Sequence, residues 1–270
     1  MATIKNDLVT GLVSVWLSDS TAIITDLHGT NNLTNNNSVV TTTLVQGNAG
    51  DFELDSSQSL SITDAAQSGL DIIGDMSFAA WVKLEAIANT NEILNKSYGS
   101  TNQAYSFKIK NNTGTPALQV EISSDGGITN KDTFNQPVAT VVVGTTYMVG
   151  FSWDASASTA RFYLDGSNVG GNLVGSQTSC FNSTSPFVIG CRGSFGGDFF
   201  DGIINQVCVW NAVLTDGNFS TFYNAGVGIP YESAVSGPAN LKTRDTITKA
   251  NTKTIETIAM ADIKTIDTIS

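Results

Sequence analysis

The sequence predicts an all-β chain, a two-sheet antiparallel sandwich with a short β-rich or extended tail, and three observations carry that reading. Apolar and polar residues alternate with period two in many short runs. Clusters of Gly, Asn, Asp and Ser separate those runs as turns would. The composition, 41% apolar with 25 Gly and only 14% charged residues, suits many short strands better than a helical bundle.

Along the chain, Leu12, Ser14 and Trp16 alternate with Val13 and Val15 in a first strand. Further strands are expected at Asp51 to Leu54, Leu60 to Ile62, Glu92 to Asn95, Tyr105 to Lys110 and Leu118 to Ile122, and later at Pro186 to Ile189 and Asp201 to Trp210. From Met76 to Lys83, Phe78, Ala80 and Val82 share one face while Ser77, Ala79 and Trp81 share the other, so this strand is apolar on both sides, as a central strand is. Tyr147, Val149, Phe151 and Trp153 form one large apolar face and predict a core strand. The next run, from Ala160, ends in Asp165-Gly166, a strong hairpin signal. Trp81, Phe151 and Trp153 are expected between the sheets. One short helix is expected before Tyr231: Thr215 or Asp216 caps it, Phe219, Phe222 and Tyr223 give its spacing, Gly226 stops it, and it would plug one edge.

The sandwich is expected over residues 1–232, its strands running from about Leu8 to Tyr231. Residues 233–270 have another character. Ala239, Ala250 and Ala261 each open a unit of the form Ala-Asn/Asp-x-Lys-Thr-x-Asp/Glu-Thr-Ile, a gapless repeat of eleven residues. Such a period can mean a right-handed coiled coil, but the β-branched residues of each unit favour short strands. The units alone bury too little to order themselves, so the tail is expected to serve assembly or attachment, through a partner or self-association.

A formal net charge of −11, with 13 scattered Lys and Arg, argues against nucleic acid and anionic membranes as partners. No run is long and apolar enough for membrane insertion, and the first residues lack the apolar core of a Sec signal peptide. Cys180, Cys191 and Cys208 lack C-x-x-C spacing; buried thiols are the plain reading, with a Cys180 to Cys191 disulfide as the alternative.

The ordered segments Gly11-Leu-Val-Ser-Val-Trp, Asp51-Phe-Glu-Leu-Asp, Ser59-Leu-Ser-Ile, Met76-Ser-Phe-Ala-Ala-Trp-Val-Lys, Tyr147-Met-Val-Gly-Phe-Ser-Trp-Asp, Ala160-Arg-Phe-Tyr-Leu-Asp-Gly, Pro186-Phe-Val-Ile-Gly and Phe200-Asp-Gly-Ile-Ile-Asn-Gln-Val-Cys-Val-Trp-Asn resemble the concanavalin A-like lectin/glucanase superfamily in its laminin-G-like branch. The resemblance implies a jelly roll whose loops, at a rim or on a concave face, hold carbohydrate or protein. It also implies calcium as a candidate cofactor. Asp26-Leu-His-Gly29 matches the family's early Asp-x-x-Gly loop, whereas Asn205-Gln206 stands where relatives often carry Asp-Glu, which would weaken a cation site at Asp26, Gly29 and Asn205. The repeats resemble tails of bacteriophage virion or surface proteins. Together these resemblances imply a non-enzymatic, lectin-like component of a virion or extracellular surface assembly that recognises glycan or a host surface; a purely structural assembly protein without a glycan ligand is the alternative.

Candidate ligand contacts lie in two loops that mix aromatic and polar residues, as sugar sites do. Tyr98, Asn102 and Tyr105 come from the first, Phe195 and Asp198 from the Gly-rich second, with core packing of the aromatics as the competing reading. The acidic run Asp51-x-Glu53-x-Asp55 offers paired carboxylates, but the Glu-x-Asp-x-x-Glu order of the glycanases is absent and no catalytic residue is assigned. His28, the one histidine, has neither a nucleophile-elbow motif nor a phosphate loop beside it. The Asn-rich stretch in the thirties reads as a surface loop.

Overall fold

Period-two alternation becomes two stacked sheets in the computed structural model, which describes residues 2–19, 21–87, 90–112, 114–137 and 141–232. The repeat tail, and with it the domain reading of 233–270, lies outside the described residues.

Among the described residues every strand-to-strand ladder is antiparallel, and a single isolated bridge, Asp19 with Gly47, is parallel. One sheet orders its strands β13 (Ser167–Val174), β12 (Thr159–Leu164), β11 (Thr146–Asp154), β6 (Met76–Leu84), β15 (Gly202–Trp210), β4 (Asn48–Phe52) and β3 (Val40–Thr43), and β1 (Leu12–Trp16) also pairs with β15. The other orders β10 (Lys131–Asn135), β9 (Thr115–Ser123), β8 (Asn102–Asn112), β7 (Thr90–Tyr98), β14 (Phe187–Ile189), β5 (Ser59–Ile62) and β2 (Thr34–Asn36). The expected strands are present, except that the one expected over Asp51 to Leu54 ends at Phe52, where Glu53 leads into a 3-10 turn from Leu54 to Ser56. The alternation did not reveal β2, β3, β10 and β13, because their residues are largely exposed and their strands lie at or next to sheet edges. The Asn-rich stretch therefore contains a strand: Asn36 donates from Nδ2 to the hydroxyls of Ser59 and Ser61 on the neighbouring β5.

Between the sheets, Phe78, Phe107, Phe151, Phe162 and Trp153 are fully buried, with Phe78 stacked on Phe151 at 6.1 Å between centroids. Trp81 is not among them. It is buried on the opposite face of β6, stacked on Tyr223 at 5.6 Å, in a second apolar cluster outside the sandwich. The residues that cover this face come from α1 (Ile4–Asp7), which local patterning did not predict, and α2 (Asp216–Tyr223), capped by Thr215 through a reciprocal pair of bonds with Asn218. Phe219 stacks on Tyr163 and Phe222 meets Trp210 edge-on. The helix thus roofs a face rather than plugging an edge, which is why β6 is apolar on both sides.

At the β12–β13 hairpin, Asp165 and Gly166 both have positive φ, 49° and 75°, as the tight turn predicted for this dipeptide requires. On β15 the register breaks between Asn205 and Cys208, where Gln206 takes φ 50°; β4 pairs before the break and β1 after it. No helix among the described residues is long and apolar enough to cross a membrane.

Candidate functional site

The outward face of the seven-stranded sheet is polar where the core-facing side is apolar. On β8, Tyr105, Phe107 and Ile109 point into the core, which places Ser106 and Lys108 outward. On β9, Leu118, Val120 and Ile122 do the same and leave Glu121 outward. A cleft of about 510 Å³ lies over this face, floored by β7 to β10 and walled by the loop after β14, from which Arg192, Ser194 and Asp198 enter it.

Four charged side chains cross the floor in alternating sign. Lys131 on β10 bonds Glu121 on β9; the other Glu121 oxygen accepts from Lys108 on β8 at 2.6 Å; Lys108 stands 3.6 Å from Glu92 on β7, its direct cross-strand neighbour. Burial works against the charge of Lys108, yet Glu92 and Glu121 together hold its pKa above the usual value. Glu121 is likewise opposed by burial, and its two lysines hold it below the usual carboxylate range. Glu92 is different. It is 1% exposed, and burial outweighs the single lysine beside it, raising its pKa to about 7. Its Oε2 and the buried Ser106 hydroxyl have no hydrogen-bond partner among the described residues.

The wall is tied down by its backbone. Asn95 Oδ1 accepts from Ser97 N–H at 2.8 Å and from Gly193 N–H at 3.1 Å, and Glu92 N–H donates to the Asp198 carbonyl. Gly193 passes so close to β7 that an added Cβ would sit 2.5 Å from the Ser97 carbonyl oxygen, so only glycine fits there. Beyond it, Phe195 and Asp198 adopt positive φ, 55° and 57°. Arg192 reaches Asp198 at 3.5 Å. Beneath the loop Cys191, Val188 and Phe199 pack as a small apolar foot.

The sequence-predicted contacts divide. Tyr98, 53% exposed, and Asp198 both line this cleft. Phe195, 45% exposed, lines a separate cleft of about 250 Å³ with Asn36, Asn37, Ser57 and Ser59. Asn102 instead braces the 183–185 segment: it donates to Thr184 Oγ1, and its Oδ1 accepts from the Ser183 hydroxyl and Thr184 N–H. Tyr105 does not reach a ligand surface, because its ring is fully buried against Phe78 and its hydroxyl donates to the Leu70 carbonyl. Glu92, Lys108, Glu121, Lys131 and Arg192 were not anticipated. The signal for Lys108 and Glu121 was present as the charged phase of Tyr105-Ser-Phe-Lys-Ile and Leu118-Gln-Val-Glu-Ile, two alternating runs of which only the apolar phase was weighed.

The residues at the expected calcium position do not fit a calcium ion. Asp26 Oδ1 accepts from the backbone of Val15 and His28, and Oδ2 from Asn31, so the carboxylate organises its own loop. Gly29 lies against it, where a Cβ would come within 2.7 Å of Oδ2. Asn205 is buried, accepting from the N–H groups of Val45 and Gln46 and donating to the carbonyls of Leu17, Gln46 and Asn48. An amide can give and accept bonds at once, which carboxylates cannot; that is what Asn at this position does. His28 Nδ1 lies 3.1 Å from the Tyr231 hydroxyl. Asp51, Glu53 and Glu85 bring carboxylate oxygens within 4.8 Å of one another on the other sheet. The three thiols are free and buried, and burial pushes Cys180 and Cys191 up to about 12, out of the nucleophilic range.

The family model described as the concanavalin A-like lectin/glucanases superfamily matches residues 54–218. No curated protein matches the chain. Among solved structures, the binding domain of Paraclostridial Mosquitocidal Protein 1 aligns with a TM-score of 0.60 at 12% identity over 79% of this chain and 52% of that one. A structure of botulinum neurotoxin type C, titled for its interaction with two ganglioside molecules, aligns at 0.58 and 10% identity over 79% of this chain and 51% of that one. Domain 4 of a GH43 extracellular arabinanase from Geobacillus stearothermophilus, in complex with arabinotriose, aligns at 0.53 and 15% identity over 77% of this chain and 96% of its own. The chain spans about half the length of the two toxin structures. At these identities the likeness is one of fold.

Proposed function

The chain belongs to the concanavalin A-like lectin/glucanase superfamily, and from that premise we propose that it is a non-enzymatic lectin-like module whose cleft over β7 to β10 binds a neutral, hydroxyl-rich glycan. The observation that carries this reading is the balance of charge in the cleft. In a chain of net charge −11, the cleft sets three bases, Lys108, Lys131 and Arg192, against Glu121, Asp198 and Glu92, whose raised pKa of about 7 leaves it partly protonated at neutral pH, so the cleft is close to neutral. Paired ions of this kind present donors and acceptors with little net field, which suits hydroxyl groups better than a carboxylate or an ammonium group. Tyr98 supplies an exposed ring at the rim for the face of a sugar.

Binding rather than cleavage is supported by the state of the acids. Glycoside hydrolysis needs two carboxylates flanking the bond. Glu121 is held by two lysines, and Glu92, in the floor of the cleft, is only 1% exposed. The occupied oxygens of Asp26 and Asn205 support binding without calcium. Arabinotriose in the arabinanase domain and gangliosides with the neurotoxin support glycan as the ligand class for this fold. The eleven-residue repeat supports display on a virion or another extracellular surface assembly, with 233–270 as the attachment or self-association segment.

A glycan array probed with the whole chain tests the reading. We expect selective retention of neutral over acidic glycans, unchanged by a calcium chelator, and about fivefold weaker binding on Tyr98→Ala, an aromatic contact worth on the order of 1 kcal/mol. An array without selective signal would favour the purely structural alternative.

A further inference from the structure

The outward face of the seven-stranded sheet holds a second cleft beside the first. Cross-strand pairing runs without a break from Ser61 on β5 through Val188 on β14, Asn95 on β7 and Ser106 on β8 to Glu121 on β9. These residues share one face, and at the usual interstrand spacing the row is about 19 Å long. The 191–199 loop stands on Val188 in the middle of it. It turns Arg192, Ser194 and Asp198 toward the β7–β10 cleft, and Phe195 toward the other, where Asn36, Asn37, Ser57 and Ser59 form the lining.

Phe195 is hydrophobic, 45% exposed and held at φ 55°, a region that disfavours side chains other than glycine, asparagine and aspartate. Asp198 on the same loop and Asn37, Ser38 and Ser57 on the facing loops also have positive φ. A packing role does not account for a strained, exposed phenyl ring, because Phe199 and Phe200 of the same loop already supply the apolar contacts. What remains is a ring presented over amides and hydroxyls, a combination that receives the apolar face of a sugar while its edge hydroxyls meet the polar groups.

From this geometry we infer that the two clefts are subsites for one extended ligand, a linear chain of neutral sugar rings that crosses the 191–199 loop, with Phe195 stacking on a ring beyond it. The inference rests on the glycan reading of the β7–β10 cleft and adds the length and path of the ligand. A terminal monosaccharide would need only one cleft; a chain uses both. Two linked contacts reinforce each other because the second forms within the same complex.

The test is titration calorimetry of the whole 270-residue chain with unsubstituted oligosaccharides of glucan, mannan and arabinan, each as a ladder from dimer to hexamer. We expect affinity to climb along the ladder of the accepted polymer and then level off. Phe195→Ala, at an exposed site that does not threaten folding, should lower affinity for the longest members about five- to tenfold while leaving the dimer unchanged, and Phe195→Trp should restore it. Affinity independent of length, or an equal loss at every length in Phe195→Ala, overturns the two-subsite inference and leaves the single-cleft reading intact. Failure of every ladder to bind the unmodified chain overturns both.

Discussion

The two sheets turn opposite kinds of surface outward. The eight-stranded sheet is roofed: Trp81, Tyr163 and Trp210 on its outer side are buried under Phe219 and Phe222 of α2 and residues from α1. The seven-stranded sheet has the 191–199 loop above its centre and, among the described residues, otherwise presents paired ions, amides and hydroxyls. The same sandwich core lies beneath both, so the difference comes from the outward phase of the strands. An apolar outward phase must be covered by more of its own chain. A polar one can stay open, and this one holds buried groups, Glu92 Oε2 and the Ser106 hydroxyl, that find no hydrogen-bond partner among the described residues.

The contrast breaks most visibly at the roof. Phe219→Ala removes a fully buried ring stacked 3.8 Å from Tyr163, and chemical denaturation should show a loss of about 4 kcal/mol. Glycan affinity should not change; if it falls as far as stability does, the two faces are not independent. Next comes Lys108→Met, which leaves Glu92 and Glu121 facing each other without the lysine between them. We expect a loss of about 3 kcal/mol at pH 8 and a smaller one at pH 5, where Glu92 takes up a proton and no longer needs a counter-charge. A loss of equal size at both values would place the lysine's contribution in packing alone.

Glu92 also gives the open face a pH signature. Folded, it keeps its proton up to about 7, against an ordinary value of 4.5. Between those values the folded state binds more protons than the unfolded one, so stability should decline as pH rises through this window and level off above it, by up to about 3 kcal/mol. Glu92→Gln should flatten that slope, measured by denaturant unfolding at a series of pH values; a slope that survives would assign it to other groups. The smallest effect is expected at the rim: Tyr98→Ala should change stability by under about 0.5 kcal/mol, since the ring is half exposed, while weakening glycan binding.

How much of this was legible in the residues differs between the faces. The core phase of each strand was plain: Phe78, Phe151 and Trp153 could be placed in the sandwich because they recur at alternate positions with β-branched neighbours. The tight β12–β13 turn was plain too, because few dipeptides tolerate two positive φ values. Trp81 was harder, since alternation says that a strand is apolar on both sides but not which of two covers it meets. The aromatic–polar mixture in loops pointed to Tyr98 and Asp198, which line the cleft, and also to Tyr105, whose ring instead follows the β8 alternation into the core. Lys108 and Glu121 escaped because charge on alternate positions ordinarily means a solvated face; only their adjacency on neighbouring strands makes them a ladder.

By itself the sequence determined the all-β character, the alternating apolar phase and the change of composition at the eleven-residue repeat, since these depend on local periodicity and turn chemistry. Tertiary structure alone decided which outward face would be covered, that Asp26 and Asn205 would bind backbone rather than present oxygens to a cation, and that charges far apart in the chain would meet over β7 to β10. Those outcomes rest on register and on contacts between distant segments, and burial then sets their energetics. No residue carries that information until its neighbours across the sheet are known.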